Sequence, residues 1–237
     1  MRKFNRKNFE TREISIQKNF VENSDGSCLI CFGKTKVICT AMLDNDVPSW
    51  LKGKGTGWVT AEYGMLPGST SSRNRRESKV GKQTGRTTEI QRLIGRSLRS
   101  VIDLQSLGEK SIVVDCDVIQ ADGGTRTASI TGGFVALSLA IKKYMNSNKS
   151  IQNPIKDYVA AISCGIVKNE VLVDLDYSED SIAEVDANFV ITQKSGFSEV
   201  QATGEENTFN KNELLEMMEK VELVSEKIFK IQKGAVE

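Results

Sequence analysis

Apolar and polar positions alternate over several short runs and recur with helical spacing over three longer ones. Residues 112–119 place Ile112, Val114, Cys116 and Val118 on one face, the pattern of a half-buried strand. Runs 27–32 and 35–41 flank Gly33-Lys34 and predict a β-hairpin with a two-residue turn. A second hairpin is predicted from 158–167 and 171–175 around Lys168-Asn169, with further strands at 58–61, 187–192 and 197–202. Residues 87–107 predict a helix closed by Gly108, with Ile90, Leu93, Ile94, Leu98, Val101 and Ile102 on one face and Arg92, Arg96 and Arg99 on another. Residues 125–145 suit a buried helix. An amphipathic helix is predicted at 211–233 through Leu214, Met218, Val221, Val224, Ile228 and Ile231. Residues 64–86 have no sustained period, and a loop of that length is usually functional or mobile. A polar connection is expected at 146–154. Strands and helices are mixed along the chain without a low-complexity linker or repeat, so one α+β domain is expected over residues 1–237.

The 237 residues, 39% apolar and 27% charged, can bury a substantial core as one large domain or two small ones. The net charge of +1 argues against blanket attraction to polyanions. Its distribution is uneven: nine basic residues stand between Arg73 and Arg99 against Glu77 and Glu89, whereas Glu170 to Asp186 holds seven acids and no base. Both stretches read either as solvated surface or as a polyanion track and a cation site. No apolar run approaches the ~20 residues of a membrane span, and MRKFNRKNFE lacks the apolar stretch of a signal peptide, so a cytoplasmic protein is expected. The five cysteines lie in strand-like segments and read as core residues, Cys28-x-x-Cys31 included. There is no histidine. That removes Ser-His-Asp and Cys-His nucleophile systems and leaves arginines, carboxylates and a bound metal, tools that suit phosphoryl transfer.

Two constellations carry candidate chemistry. In DCDVIQADGGTRTASITGG (115–133) the strand stops at Asp122-Gly123-Gly124 and a helix begins at Thr125-Arg126. Glycines allow close backbone approach, and the first turn of a helix has unpaired N–H groups and partial positive charge, so an anion would sit well beside Arg126. An ordinary turn with Thr125 as N-cap fits the same residues. Asp174, Asp176, Glu179, Asp180, Glu184 and Asp186 put six acids into thirteen positions, a setting for Mg²⁺ or simply a solvated acidic turn. Asp115 and Asp117 form a second pair, for which hydrogen bonds to neighbouring loops are the plainer expectation.

The segments GWVTAEYGMLP (57–67), GKQTGRTTEIQRLIGR (81–96), DCDVIQADGGTRTASITG (115–132) and EDSIAEVDANFV (179–190) resemble, in order, the ribonuclease PH family of bacterial phosphate-dependent 3′ exoribonucleases. The resemblance implies a β-α-β fold like the second domain of ribosomal protein S5. It also implies trimming of tRNA precursors and other RNA 3′ ends such as rRNA, with inorganic phosphate as co-substrate and release of nucleoside diphosphates; the reverse addition of nucleotides should then occur too. By the same resemblance Arg86, Gly124, Thr125 and Arg126 bind phosphate, and Asp180 and Asp186 serve catalysis and the metal, Mg²⁺ or Mn²⁺. Arg73 and Arg76 grip tRNA, and the chain assembles as a homohexamer, a trimer of dimers. Many members carry a basic residue where this chain has Gly68. Within the same reading, a non-catalytic ring subunit of an exosome-like assembly is the rival; Arg86, Arg126, Asp180 and Asp186 speak for the enzyme.

Overall fold

The computed structural model describes residues 2, 5–148, 152–205 and 207–237. Strands β1 (Ile14–Lys18), β2 (Gly26–Phe32), β3 (Thr35–Asp44) and β4 (Trp58–Met65) come first. Helices α1 (Glu77–Val80), α2 (Gly85–Ser100) and α3 (Leu104–Leu107) follow, then β5 (Ser111–Gln120) and α4 (Thr125–Ser147). The rest of the chain supplies β6 (Val159–Val167), β7 (Glu170–Val173), α5 (Tyr177–Asp180), β8 (Val185–Thr192), β9 (Gly196–Gly204) and α6 (Lys211–Val236).

Two sheets result, in the orders β1-β2-β3-β5-β4 and β7-β6-β8-β9. The β2–β3 hairpin turns at Gly33, with φ of 55°. Lys168 and Asn169 take φ of 54° and 61° between β6 and β7, the left-handed pair that matches the twist of a two-residue hairpin. β4 lies parallel to β5, and α2 makes the crossover between them.

Helix α4 explains why two sheets make one body. It packs against β2, β3 and β5 of the first sheet and β6 of the second, and is buried almost continuously from Thr125 to Ile141. Its apolar residues therefore appear on every side, and one hydrophobic core joins both sheets. Full burial of a side chain such as Phe134 or Leu137 contributes about 1.5–3 kcal/mol. Close approach decides Gly132: a Cβ there would stand 2.6 Å from Ile30 Cγ2 and 2.9 Å from Cys39 Sγ. Gln232 of α6 is fully buried and donates to the carbonyls of Thr131 and Val159, tying α6 to α4 and β6.

The structure departs from the sequence pattern at several places, among them the strand expected over 171–175, which ends at Val173 where Asp174 turns to φ of 57°, and the added helix α5. The helix expected over 87–107 starts two residues earlier, because Thr84 Oγ1 accepts the N–H of Thr87, and stops at Ser100. Ile102 then bridges to Ile155, and Asp103 caps the separate turn α3 by accepting the N–H groups of Gln105 and Ser106. β4 runs on to Met65, since Tyr63 and Met65 pair with Cys116 and Val118, and α1 interrupts the expected 64–86 loop. The alternation of 14–18, unread in the sequence, forms edge strand β1 against β2. Part of the connection at 146–154 lies outside the described residues.

Cys28 and Cys31 sit at odd spacing in one strand and so face opposite sides of the sheet. Cys28, Cys39 and Cys116 are cross-strand neighbours in the core; all five cysteines are free thiols. Among the described residues no helix is long and apolar enough to cross a membrane.

Candidate active site

A cleft of about 920 Å³ opens where α2, α4, α5 and β8 meet. Arg86, Gly124, Thr125, Arg126, Asp180 and Asp186 all line it, although they are spread over a hundred residues of sequence. Two helices bring the cations: Arg86 is second in α2 and Arg126 second in α4, so each lies in a first turn whose N–H groups carry partial positive charge. The carboxylates come from the last residue of α5 and from the start of β8.

The glycine turn is built for this junction. Gly124, not Thr125, is the N-cap of α4, with φ of 65° and no side chain capping the helix. Gly123 has φ of 79°, and a Cβ there would collide with the Leu175 carbonyl oxygen at 2.6 Å and with Tyr177 N at 2.8 Å. Thus the first glycine is required by the close passage of the 175–177 backbone, which leads directly to Asp180. Thr35 Oγ1 accepts the Asp122 N–H at 2.9 Å and donates to the Gly123 carbonyl at 2.7 Å. The hydroxyls of Tyr63 and Thr125 are bonded at 2.8 Å, and burial pushes the Tyr63 phenol up.

Arginine 12, which no sequence signal singled out, fastens both halves of the site. Its guanidinium donates to the carbonyls of Asp122 and Gly123 on the glycine turn. The same group donates to Asp174 at 2.6 and 3.0 Å, and its backbone N–H reaches Asp174 at 2.7 Å. Both side chains are nearly inaccessible. Burial alone would lower the Arg12 pKa, but Asp174 outweighs it and raises it.

The six acids of residues 174–186 therefore divide. Asp174 belongs to Arg12 and Arg6, and Asp176 lies 3.7 Å from Arg6 while capping α5. Glu179 receives Arg2 at 2.7 Å and Arg6 at 3.0 Å. Desolvation pushes the Glu179 carboxyl up, but the bonds from Arg2 and from the Asp176 N–H win and hold it below the ordinary value. Glu184 accepts the N–H of Asn169. Asp180 and Asp186 are left to the cleft.

Their electrostatics differ accordingly. Asp180 is open to solvent within the cleft, yet the surrounding protein desolvates it enough to raise its pKa, against the pull of Arg86 and Arg126. Asp186, half-buried, is pushed up to about 6, first by desolvation and then by the charge of Asp180. Two desolvated carboxyls, Asp186 raised further by the charge of Asp180, form a donor set that a divalent cation would relieve. Among the described residues no three His, Cys, Asp or Glu groups are arranged to hold a metal, so a cation here would complete its shell with water and substrate oxygens.

Arg126 is aimed by neighbours from two other elements, donating to Gln201 of β9 at 2.9 Å and to Glu89 of α2 at 3.3 Å. Gln201 in turn donates to Glu89 at 3.0 Å. Arg76 lines the outer part of the cleft; Arg73 is exposed and does not. Gly68 has open space around its Cβ position and no positive φ, so the backbone does not require glycine there. Asp115 and Asp117 do not bond to loops as expected. They line the cleft wall with Glu62; Asp115 accepts the Thr40 hydroxyl at 3.5 Å, and burial raises both carboxyls.

Comparison with known proteins completes the description. Residues 10–142 match the model of the 3′ exoribonuclease family, domain 1, and residues 157–220 match domain 2 of the same family. Rrp46 from rice (Oryza sativa) is similar over 100% of both chains at 18% identity, with a TM-score of 0.80. A chain of the Archaeoglobus fulgidus exosome with RNA bound to the active site matches 95% of this chain and 90% of its own at 18% identity and a TM-score of 0.80. A chain of an archaeal exosome core matches over 98% and 90% at 20% identity and 0.74. The fold is thus the ribonuclease PH-like fold.

Proposed function

Since the chain belongs to the 3′ exoribonuclease family, we propose that it is a phosphate-dependent 3′-to-5′ exoribonuclease that trims tRNA precursors and other structured RNA such as rRNA in the cytoplasm. The observation that carries this reading is the convergence of Arg86, Arg126 and the uncapped first turn of α4 with Asp180 and Asp186 in one cleft. Inorganic phosphate near neutral pH is already an anion, so it needs no histidine to activate it; what opposes reaction is charge. Arg86, Arg126 and the N–H groups at Gly124 and Thr125 offset that charge and hold the phosphate as the nucleophile. A phosphate oxygen forms a new bond to the terminal RNA phosphorus and the bond to the adjoining 3′ oxygen breaks. The products are a nucleoside diphosphate and an RNA one nucleotide shorter, whose 3′ oxygen takes up a proton. The phosphoanhydride retained in the diphosphate makes nucleotide addition the natural reverse reaction.

Asp180 and Asp186 would hold Mg²⁺, or Mn²⁺ in its place, and such an ion supplies charge neutralisation at the scissile phosphate. Arg126, fixed by Gln201 and Glu89, presents its guanidinium without a search through rotamers. Exposed Arg73 and Arg76 contact the body of the tRNA, in a homohexamer built as a trimer of dimers.

The reading is tested by incubating the protein with a 3′-extended tRNA with and without inorganic phosphate and identifying the released nucleotide. Nucleoside diphosphates that appear only with phosphate are expected. Nucleoside monophosphates in phosphate-free buffer would overturn it. RNA binding with no release under either condition would instead make the chain a non-catalytic ring subunit.

A further inference from the structure

A second groove, of about 390 Å³, lies between α2 and β4, the edge strand of the first sheet. Trp58 and Thr60 line one side; Arg92, Arg96 and Arg99 line the other. Gly95 brings helix and strand together, since a Cβ there would lie 3.6 Å from Ala61 N and 3.0 Å from the Arg99 guanidinium. Arg99 stacks over the Trp58 ring at 4.3 Å and donates to the Val59 carbonyl at 2.8 Å. Trp50 meets Trp58 edge-on at 4.9 Å and remains 54% exposed. The one carboxylate paired with these arginines among the described residues is Glu199, at 3.2 Å from an Arg96 side chain that is 59% exposed, a contact that holds little energy. Burial and the charge of Arg96 lower the Arg99 pKa, so the cations crowd one another.

Gln91 lines both this groove and the cleft, so the two adjoin along α2. Arg86 in the first turn of α2 and Arg99 in its last are about 20 Å apart along the helix axis, far enough to follow several nucleotides. We infer that the groove is an upstream RNA subsite: Arg92 and Arg96 take backbone phosphates of the single strand whose 3′ end occupies the cleft, and Trp50 stacks on a base. The inference rests on the exoribonuclease reading of the cleft. An arginine row beside an exposed indole gives charge neutralisation and stacking without reading sequence, which suits an enzyme that must process any 3′ tail. Arg99 is a positioning residue, since its guanidinium holds Trp58 and the β4 backbone.

The test compares binding of a fluorescent single-stranded 16-nucleotide RNA with that of a trinucleotide in phosphate-free buffer, for the parent protein, Arg92→Ala/Arg96→Ala and Trp50→Ala. The double variant should bind the long RNA about tenfold more weakly at low salt, bind the trinucleotide unchanged, and show a log affinity against log salt slope flatter by about 1.4, two phosphates at about 0.7 each. Trp50→Ala should lose about tenfold on the long RNA with no change in slope. Light scattering on the same samples should give one assembly size for all three proteins. Equal losses on both RNAs would place the arginines in the cleft chemistry and overturn the subsite. Weaker binding together with a smaller assembly would make the groove a contact between copies, and unchanged binding of the long RNA would remove it from the RNA path. A parent protein that binds neither RNA would overturn the exoribonuclease reading itself.

Discussion

Two arginine–carboxylate clusters draw their acids from one stretch, residues 174–186, and behave in opposite ways. In one, Arg2, Arg6 and Arg12 close around Asp174, Asp176 and Glu179 with nearly complete burial. In the other, Arg86 and Arg126 face Asp180 and Asp186 across an open cleft, and both carboxyls are raised. The difference is contact. Arg12 and Asp174 bond directly, so each ion satisfies the other and a stable joint results. The cleft ions act on one another through space, and Arg126 is anchored instead to Gln201 and Glu89. Among the described residues Arg86, Asp180 and Asp186 make no direct ion pair, and Arg126 pairs only with the half-exposed Glu89, so this charge is what a phosphate and a cation could use.

The sharpest way to break this contrast is Asp174→Ala. It leaves Arg12 charged and buried, and should cost about 3–5 kcal/mol of unfolding free energy in urea titrations. A loss below about 1 kcal/mol would mean that the buried cluster is not a structural joint. Arg126→Ala should do the reverse, keeping the urea midpoint while lowering kcat/KM for phosphate by about 10²-fold, roughly 2.7 kcal/mol of transition-state stabilisation. Unchanged phosphorolysis would remove Arg126 from the site.

Asp186→Asn separates the clusters by the sign of its effect. A carboxyl raised to about 6 opposes folding once ionised, so the parent protein loses this contribution as pH rises from about 4 to about 6. In EDTA the variant should therefore be more stable than the parent above pH 6, by about 1–2 kcal/mol after allowance for solvent screening, with the gap closing below pH 4, and it should lose metal-dependent turnover. Thermal unfolding across that range checks it, and a variant less stable at pH 7 would contradict an ionised carboxylate destabilised by its burial and by Asp180. The smallest effect on stability belongs to exposed cations: Arg73→Ala/Arg76→Ala should leave the melting temperature unchanged, raise KM for tRNA several-fold more than KM for a short oligonucleotide, and flatten the salt dependence of tRNA binding. Equal changes in both KM values would move these arginines from tRNA contact to chemistry.

The sequence by itself determined most of the elements, because strand alternation at 112–119, the turn chemistry at Gly33-Lys34 and Lys168-Asn169, and the long apolar helix from Thr125 are local properties of the chain. The family resemblance of its segments also named six of the residues that line the cleft. Only the tertiary structure decided which acids of 174–186 are spent and which are left, since the choice was made by Arg2, Arg6 and Arg12, more than 160 residues away. Only there, too, does Gly123 acquire its reason, the passage of the Leu175–Tyr177 backbone across a position where a Cβ would collide. The break after Ser100 has the same origin: Val101 and Ile102 keep helical spacing, but the bridge to Ile155 and the Asp103 cap outweigh propensity. Spacing along the chain records local geometry, whereas charge pairing and close backbone approach depend on distances that exist only once the two sheets have closed around α4.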